Sequence, residues 1–304
     1  METTQFRILN DQELEGIYNL FYGFAAVHGG FELCPSQRKF ARLVIKSVLN
    51  NEGKNIPIEF SRQAGKTSTL VLIVDFLATH YDGITKKYSL PNMGFLNVSI
   101  YAPQGEQAKT DFDKIKEFLQ SENAKIYGFE SDEFNGTTIK LRWNKQMPVD
   151  IHCFSASIGS KTESKTNSLI VLEEVQDIFD KKLDVTILPT GAATNATVVY
   201  IGTAGYQRKR FYTLIESTPD EEKVIANCNV IVKERKEMFE KTNNPIYLNY
   251  EKLKAKRKWE IGEDSDEYKT QYMLHWVLER GQFISYEEVM ALQVKYVESD
   301  DKIF

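Results

Sequence analysis

The chain has 304 residues, of which 42% are hydrophobic and 27% are charged, with a formal net charge of −5. This size and composition predict a globular protein of one large or two modest domains. The negative net charge argues against a protein that coats nucleic acid, because neutralising the phosphates requires strongly clustered basic side chains. The cluster Lys252–Lys258 could be a local basic patch or simply a solvated helix face.

Neither membrane insertion nor metal binding by cysteine and histidine is indicated. No apolar run reaches the roughly 18 residues that a membrane span requires, and the first residues lack the apolar segment of a signal peptide. The three cysteines and four histidines are dispersed without metal-ligand spacing. We therefore expect reduced thiols, no membrane association and no chemistry from the histidines.

Strands and helices alternate along the first three quarters of the chain. Apolar periodicity predicts a helix over residues 11–28, capped at Asp11, and a second helix from Pro35. Buried strands are predicted near 55–60, 97–102, 169–173 and 197–202, and further helices from 66, 105 and 208. Residues 124–154 predict an antiparallel hairpin. This order is typical of an α/β protein whose mainly parallel sheet is flanked by helices.

After about residue 233 the pattern is helical and charged, which predicts a small helical subdomain. We expect residues 31–232 to form the core and residues 1–30 with 233–290 to form a helical lid. Residues 291–304 are expected to be a linker.

The segment Ser61–Thr67, with the sequence SRQAGKT, lies between a predicted strand and a predicted helix. In that setting, loop amides and the helix N-terminus favour a bound phosphate. Gly65 would allow close backbone approach, Lys66 would reach the β- and γ-phosphates, and the Thr67 hydroxyl would bind Mg²⁺. The usual motif starts with glycine where this chain has Phe60, and an ordinary turn is the alternative interpretation.

Two carboxylates end the buried segment Leu169–Leu172, at the edge where open α/β sheets bind ligands. Glu173 would hold Mg²⁺ directly or through water, and Glu174 would orient the attacking water. A helix-capping acidic pair is the alternative. A strand ending at Gly202-Thr203 is predicted between these acids and the phosphate-loop strand, an arrangement typical of P-loop ATPases of the additional-strand, catalytic-glutamate type.

Together these motifs resemble the ATPase domain of the large terminase subunit, the DNA-packaging motor of tailed bacteriophages. That family's phosphate loop (Walker A motif) typically reads S-R-Q-x-G-K-[ST], so Phe60 is consistent with it. Leu33–Gln37 resembles its adenine motif, Tyr101–Pro103 with Glu106–Ala108 its strand–helix motif, and Gly202–Ala204 its coupling motif. Glu173 stands where the family usually has aspartate. The resemblance covers residues 30 to 290.

The resemblance implies ATP and Mg²⁺ as ligands and assigns roles to individual residues. Catalysis would involve Glu174, Arg62 and Lys66, the metal would contact Thr67 and Glu173, and Thr203 would couple hydrolysis to DNA movement. Gln37 would hydrogen-bond the adenine edge. The expected ATP-binding residues are Gln37, Ser61, Arg62, Gln63, Ala64, Gly65, Lys66, Thr67 and Ser68.

The implied partners are double-stranded DNA, the portal of a procapsid, the small terminase subunit and other copies in a five-membered ring, in the cytoplasm of an infected bacterium. A neighbouring copy could supply an arginine in trans, for which Arg142 and the loop 161–165 are candidates. Full-length family members carry a C-terminal nuclease domain, and we expect no nuclease activity from these 304 residues.

Three other functions are compatible with a phosphate loop. A two-lobed helicase would need a second sheet domain, for which the helical tail is too short. A regulatory ATPase without DNA contact would suit the acidic net charge. A scaffold with an inactive nucleotide site is disfavoured, because Lys66, Thr67 and Glu174 are all present.

Overall fold

The computed structural model describes residues 7–91, 94–128, 130–134, 136–142, 147–157, 160, 166–206 and 210–277. The helices within these ranges are α1 (Asp11–Gly29), α2 (Pro35–Leu49), α3 (Lys66–Tyr88), α4 (Gly105–Leu119), α5 (Asp180–Lys182), α6 (Arg210–Ser217), α7 (Cys228–Thr242), α8 (Asn249–Ile261) and α9 (Asp266–Gln271). The strands are β1 (Asn55–Phe60), β2 (Leu96–Ala102), β3 (Glu130–Phe134), β4 (Thr138–Arg142), β5 (Val149–Ser155), β6 (Leu169–Leu172), β7 (Thr197–Gly202) and β8 (Val224–Ala226).

All eight strands in the described ranges belong to one sheet, in the order β3-β4-β5-β2-β6-β7-β1-β8. The pairs from β5 to β8 are parallel, and β3 and β4 pair antiparallel at one edge. This confirms the α/β architecture, including the antiparallel hairpin, which is formed by β4 and β5. Strand β7 lies between the acid strand β6 and the phosphate-loop strand β1, as the sequence predicted.

Both faces of the sheet carry apolar side chains, and helices cover both faces. Along β6, Leu169 and Val171 belong to one hydrophobic core, whereas Ile170 and Leu172 belong to the other. Successive strand residues point to opposite faces, so a fully apolar strand such as β6 feeds both cores. These two cores fix the carboxyl ends of the strands, where the candidate site lies.

The N-cap of helix α1 lies one residue before the position predicted for it. Asn10, not Asp11, is the N-cap: its side chain accepts a hydrogen bond from the Glu13 amide at 3.0 Å, and Glu13 accepts one from the Asn10 amide at 3.1 Å. This reciprocal capping box satisfies two amides that would otherwise lack partners. The buried face of α1 packs on α3, where the Phe21 and Phe76 rings meet at 5.3 Å.

After β8 the described chain is helical, and this part contacts the phosphate loop directly. Its helix α7 packs against α2, and the amide of Arg62 in the loop donates to the carbonyl of Gln271 at 2.7 Å. The division into core, lid and linker stays a prediction, and residues 278–304 lie outside the described ranges. No helix among the described residues is both long and apolar enough to cross a bilayer.

A buried carboxyl group in the phosphate-loop strand makes the fold sensitive to pH. Glu59 in β1 is 2% exposed, and its Oε1 accepts a hydrogen bond from Trp276 Nε1 at 2.9 Å. Burial raises the pKa of Glu59 to about 8, and the Trp276 hydrogen bond opposes that rise only in part. The folded protein therefore keeps a proton on Glu59 at neutral pH.

We expect the free energy of unfolding to fall as the pH rises from about 4.5 to about 8, because the unfolded chain releases this proton first. Glu59→Gln removes the titrating group and preserves the acceptor for Trp276. The variant should lose less stability over this range than the wild type, by up to about 4 kcal/mol. Urea unfolding at pH 5 and pH 8 measures the difference, and equal losses in both proteins would contradict the assignment.

Candidate functional site

Two residues of the loop between β1 and α3 have positive φ angles, one of them a glycine. Gly65 has a φ of 100°, in the left-handed region, and Gln63 has a φ of 58°. A Cβ atom on Gly65 would lie 2.7 Å from Gln37 Nε2, which is closer than real contacts allow. Position 65 therefore requires glycine both for its dihedral angle and for space. Because α3 begins at Lys66, its first amides face the cleft beside this loop.

A polar cleft of about 440 Å³ lies at the carboxyl ends of the strands, in front of this loop. Eight of the residues predicted from the sequence line it: Arg62, Gln63, Gly65, Lys66, Thr67, Ser68, Glu174 and Thr203. The cleft is also lined by four residues that were not predicted as site residues: Gln107, Gln176, Asp177 and Gln271. Residues from widely separated parts of the chain thus meet at one cleft.

Lys66 and Glu174 face each other across the cleft, with Lys66 Nζ 2.7 Å from Glu174 Oε1. The Lys66 side chain is 10% exposed and that of Glu174 is 30% exposed. Burial pushes the pKa of Glu174 up, but the Lys66 ammonium, the Gln176 amide and the Arg62 charge together bring it below its ordinary value. Glu174 is therefore ionised, which a group that accepts a proton from water requires.

Glu173 is placed differently from its neighbour. It is 4% exposed, it is not among the cleft-lining residues, and its Oε1 has no hydrogen-bond partner among the described residues. Burial, and next the charge of Asp111, raise the pKa of Glu173 well above its ordinary value. Burial likewise raises the pKa of Asp111 to about 6. Glu173 and Asp111 are thus two neighbouring buried acids behind the wall of the cleft.

The residues present fit a magnesium ion that arrives with a nucleotide. Among the described residues no three acidic, histidine or cysteine side chains form a cage for a metal. Mg²⁺ does not need one, since it keeps several waters and takes substrate phosphates as ligands. The partly exposed Thr67 hydroxyl is the protein group at the cleft that suits this ion, whereas Glu173, whose raised pKa favours the protonated form, would have to release its proton to join it. Their metal-binding roles stay predictions.

Ser61 and Ala64 support the loop from behind. Neither lines the cleft: Ser61 Oγ lies 2.5 Å from Tyr250 Oη, and the Ala64 carbonyl accepts a hydrogen bond from Arg235 at 3.3 Å. Their amides already donate to the carbonyls of Ala226 and Ser61. Both residues anchor the loop to the helical part of the chain. Their contact with ATP stays a prediction and would require some of these hydrogen bonds to change.

Arg62 is exposed in the cleft and is held by α9. Its amide donates to the Gln271 carbonyl at 2.7 Å, and its guanidinium donates to Gln271 Oε1 at 3.1 Å. The Tyr250 hydroxyl also donates to the Arg62 carbonyl at 3.2 Å. The helical segment thus sets both the backbone and the side chain of this predicted catalytic arginine.

A second cleft, of about 210 Å³, adjoins the first and shares Gln63, Gly65 and Ser68 with it. Its other lining residues are Phe31, Cys34, Gln37, Arg235, Ile246 and Tyr247. Gln37 donates from Nε2 to Thr69 Oγ1 at 3.0 Å and accepts from the Cys34 amide at 3.0 Å. Its side-chain amide therefore braces α3 against α2, and its predicted contact with adenine stays a prediction.

Arg142 is engaged within its own hairpin. Its guanidinium lies 2.7 Å from Asp150 Oδ1 on β5 and donates to the Leu141 carbonyl at 2.8 Å. Its predicted role as an arginine finger in a neighbouring subunit would require it to leave Asp150. The alternative candidates at 161–165 lie outside the described residues.

The strand–loop–helix at Lys66, and the acid strand separated from the loop strand by β7, define a P-loop NTPase fold of the additional-strand type. No family model matches the sequence, and no curated protein matches it. Solved structures do match the fold, and they agree with the resemblance seen in the motifs.

A variant of the large terminase ATPase domain of Thermus phage P74-26 matches with a TM-score of 0.57 at 15% identity, covering 83% of this chain and 97% of that one. The large terminase of another thermophilic bacteriophage, in complex with ADP, matches with a TM-score of 0.51 at 12% identity. That match covers 81% of this chain and 54% of the ADP-bound protein. The fold of this chain is that of phage large terminase ATPase domains, and the sequence-based resemblance is confirmed at that level.

Proposed function

We propose that this chain is an Mg²⁺-dependent ATPase that drives double-stranded viral DNA into a procapsid. The observation that carries the ATPase assignment is the meeting of Lys66 and Glu174 at 2.7 Å in a polar cleft beside a left-handed Gly65. A cation for phosphate and an ionised carboxylate for water are the two groups that phosphoryl transfer to water requires.

In this proposal a triphosphate takes the place of Glu174 as the partner of Lys66. The Lys66 ammonium and the first amides of α3 then hold the β- and γ-phosphates. Glu174 Oε1, released from Lys66, accepts the proton of the attacking water, while Arg62 offsets charge on the γ-phosphate. Mg²⁺, held by the Thr67 hydroxyl and near Glu173, would neutralise phosphate charge.

The second cleft is the proposed site of the adenine ring. It shares Gly65 and Ser68 with the phosphate cleft, so one nucleotide can lie across both. Phe31, Ile246 and Tyr247 supply apolar and aromatic surface for a base, and Arg235 supplies hydrogen-bond donors. Gln37 would contact the base by giving up its hydrogen bond to Thr69. Arg235 and Tyr247 come from the helical part of the chain, which would then contact both ends of the nucleotide.

The packaging role rests on the shared fold and gains support from α8. This helix carries five basic residues between Lys252 and Lys258, although Glu260 and Glu263 pair with three of them. Trp259, next to them, is 87% exposed. Clustered cations on an exposed helix suit the phosphate backbone of double-stranded DNA, which a regulatory ATPase without DNA contact would not need.

The other components of the proposal come from terminases as a class. They are the portal of the procapsid, the small terminase subunit and a ring of five copies, acting in the cytoplasm of the infected bacterium. Thr203, at the end of β7, would pass the result of hydrolysis to the DNA-moving parts.

The proposal is tested by measuring ATP hydrolysis with Mg²⁺, with and without linear double-stranded DNA at low salt. We expect turnover in the wild type, none in Lys66→Ala, and a several-fold increase with DNA that disappears as salt is raised. A turnover rate that does not change with DNA or with procapsids at any salt concentration would favour a regulatory ATPase. Absence of Mg²⁺-dependent turnover would overturn the enzymatic assignment itself.

A further inference from the structure

Gln176 lies in the phosphate cleft without a role in the scheme above. It is the second residue after Glu174, in the short helical turn Val175–Asp177 that follows β6. Its side chain crosses from the end of β6 to the end of β7, which is the interval between the proposed catalytic glutamate and Thr203.

Both ends of the Gln176 side-chain amide are engaged. Nε2 donates to Glu174 Oε2 at 2.8 Å and, more weakly, to Asp177 Oδ2 at 3.4 Å. Oε1 accepts a hydrogen bond from the Thr203 amide at 3.4 Å. A carboxylate only accepts and a backbone amide only donates, so these partners fix the orientation of the side-chain amide.

Glu174 is thereby held by two donors of different kinds. Lys66 Nζ binds Oε1, and Gln176 Nε2 binds Oε2. A triphosphate would compete for Lys66, but it leaves the uncharged Gln176 amide with Glu174. Once Lys66 has turned to the phosphates, Gln176 is the donor that still sets the direction of the carboxylate.

Gly202, on the opposite side, leaves space for this side chain. A Cβ atom on Gly202 would lie 2.3 Å from Gln176 Oε1 and 2.9 Å from Phe211 Cε1, and one on Gly205 would lie 3.6 Å from Gln176 Cγ. The backbone of Gly202 does not have a positive φ. A Cβ atom at 202 would therefore meet both the movable end of Gln176 and the Phe211 ring, so glycine there allows a close approach and does not serve a special backbone conformation.

The loop that receives Gln176 is joined to the last described segment. The Gly205 carbonyl accepts a hydrogen bond from the Val277 amide at 3.3 Å, and the neighbouring Trp276 donates to Glu59 in β1. A displacement of residues 202–205 would therefore reach both the phosphate-loop strand and the chain beyond α9.

We propose that Gln176 is a positioning residue that fixes the Glu174 carboxylate against the loop 202–205 and passes its movement to that loop. The proposal rests on the proposed ATPase function and adds the contact through which the end of β7 senses the catalytic group. Gln176 itself touches Glu174, Asp177 and the Thr203 amide, and the chemistry stays with Glu174.

The test is a double-mutant cycle between Gln176→Ala and Gly202→Ala, read by steady-state ATP hydrolysis. Gln176→Ala should lower kcat by about 10- to 100-fold with KM changed less than threefold, because a misdirected carboxylate affects the transition state more than binding. Gly202→Ala should lower kcat similarly by displacing Gln176. In the Gln176→Ala background, Gly202→Ala should cost less, since the clash with the Gln176 oxygen is gone and only the clash with the Phe211 ring remains.

Two further measurements keep the outcomes separate. Gln176→Glu retains the length and the acceptor for Thr203 but loses the donor to Glu174, so it should resemble Gln176→Ala in kcat. Thermal unfolding of each variant checks that it folds. An active wild type with a Gln176→Ala kcat within twofold of it, or equal costs of Gly202→Ala in both backgrounds, would overturn the positioning role. An inactive wild type would instead overturn the proposed function, and the positioning role with it.

Discussion

Glu174→Gln is expected to bind Mg²⁺·ATP normally while its turnover falls by about 100-fold or more. The substitution preserves the shape of the side chain and removes the negative charge that would draw a proton from water, which corresponds to about 3 kcal/mol of activation barrier. In the structure the carboxylate lies 2.7 Å from Lys66 Nζ and is ionised, as this role requires. Single-turnover hydrolysis with a separate nucleotide-binding titration measures both quantities.

A matched control is Glu122→Gln, which makes the same chemical change at an exposed carboxylate paired with Lys125. Its turnover should equal that of the wild type. If Glu174→Gln hydrolyses ATP at the normal rate, the water-orienting role is wrong. If ATP binding falls as much as turnover does, Glu174 serves binding and not the chemical step.

Lys66→Ala is expected to weaken ATP binding by about 100-fold or more. The change removes the cation that would contact the β- and γ-phosphates, and it leaves the Glu174 charge unpaired at the place where phosphate charge must sit. Loss of one partner of a hydrogen-bonded charge pair in a largely buried site costs roughly 2–5 kcal/mol, which spans that factor. Titration with a fluorescent ATP analogue gives the dissociation constants.

Lys109→Ala, at an exposed lysine of α4, is the corresponding control and should bind the analogue like the wild type. A Lys66→Ala variant that retains wild-type affinity would mean that the nucleotide binds elsewhere.

Local sequence context accounts for what could be predicted of the fold and site. Apolar strands and amphipathic helices predicted the parallel sheet, and the position of SRQAGKT between a strand and a helix placed Lys66 and Thr67 correctly at the helix start. The strand between β6 and β1 followed from the same pattern. The strands and helices themselves depend on residues close together in the chain, whereas the strand order pairs residues as distant as Asn55 and Val198.

The contacts that could not be predicted join residues far apart in the chain. Arg62 and Gln271 are separated by 209 positions, and Arg235 and Ala64 by 171. No local pattern specifies that α7, α8 and α9 pack on the phosphate loop. Gln176 is different, because a polar residue just after an acidic strand end was a usable signal.

Glu173 and Glu174 are adjacent in the sequence, but only Glu174 faces the cleft, and the backbone explains this difference. β6 ends at Leu172, so Glu173 and Glu174 lie in the turn after the strand, where strand alternation no longer decides the direction of a side chain. Glu174 has a φ of 46°, which turns the chain there, and its side chain lines the cleft while Glu173 stays buried. Such a left-handed residue is costly for a non-glycine side chain and is typical of functional sites.

The most direct test of ATP hydrolysis in this cleft is a crystal structure with Mg²⁺ and a nonhydrolysable ATP analogue. We predict that the triphosphate lies along residues 61–67 with Lys66 Nζ on its phosphates, and that Glu174 is within one bridging water of the γ-phosphate. A nucleotide bound away from that loop, or a Glu174 carboxylate turned out of reach of the γ-phosphate, would contradict the central claim that this cleft hydrolyses ATP.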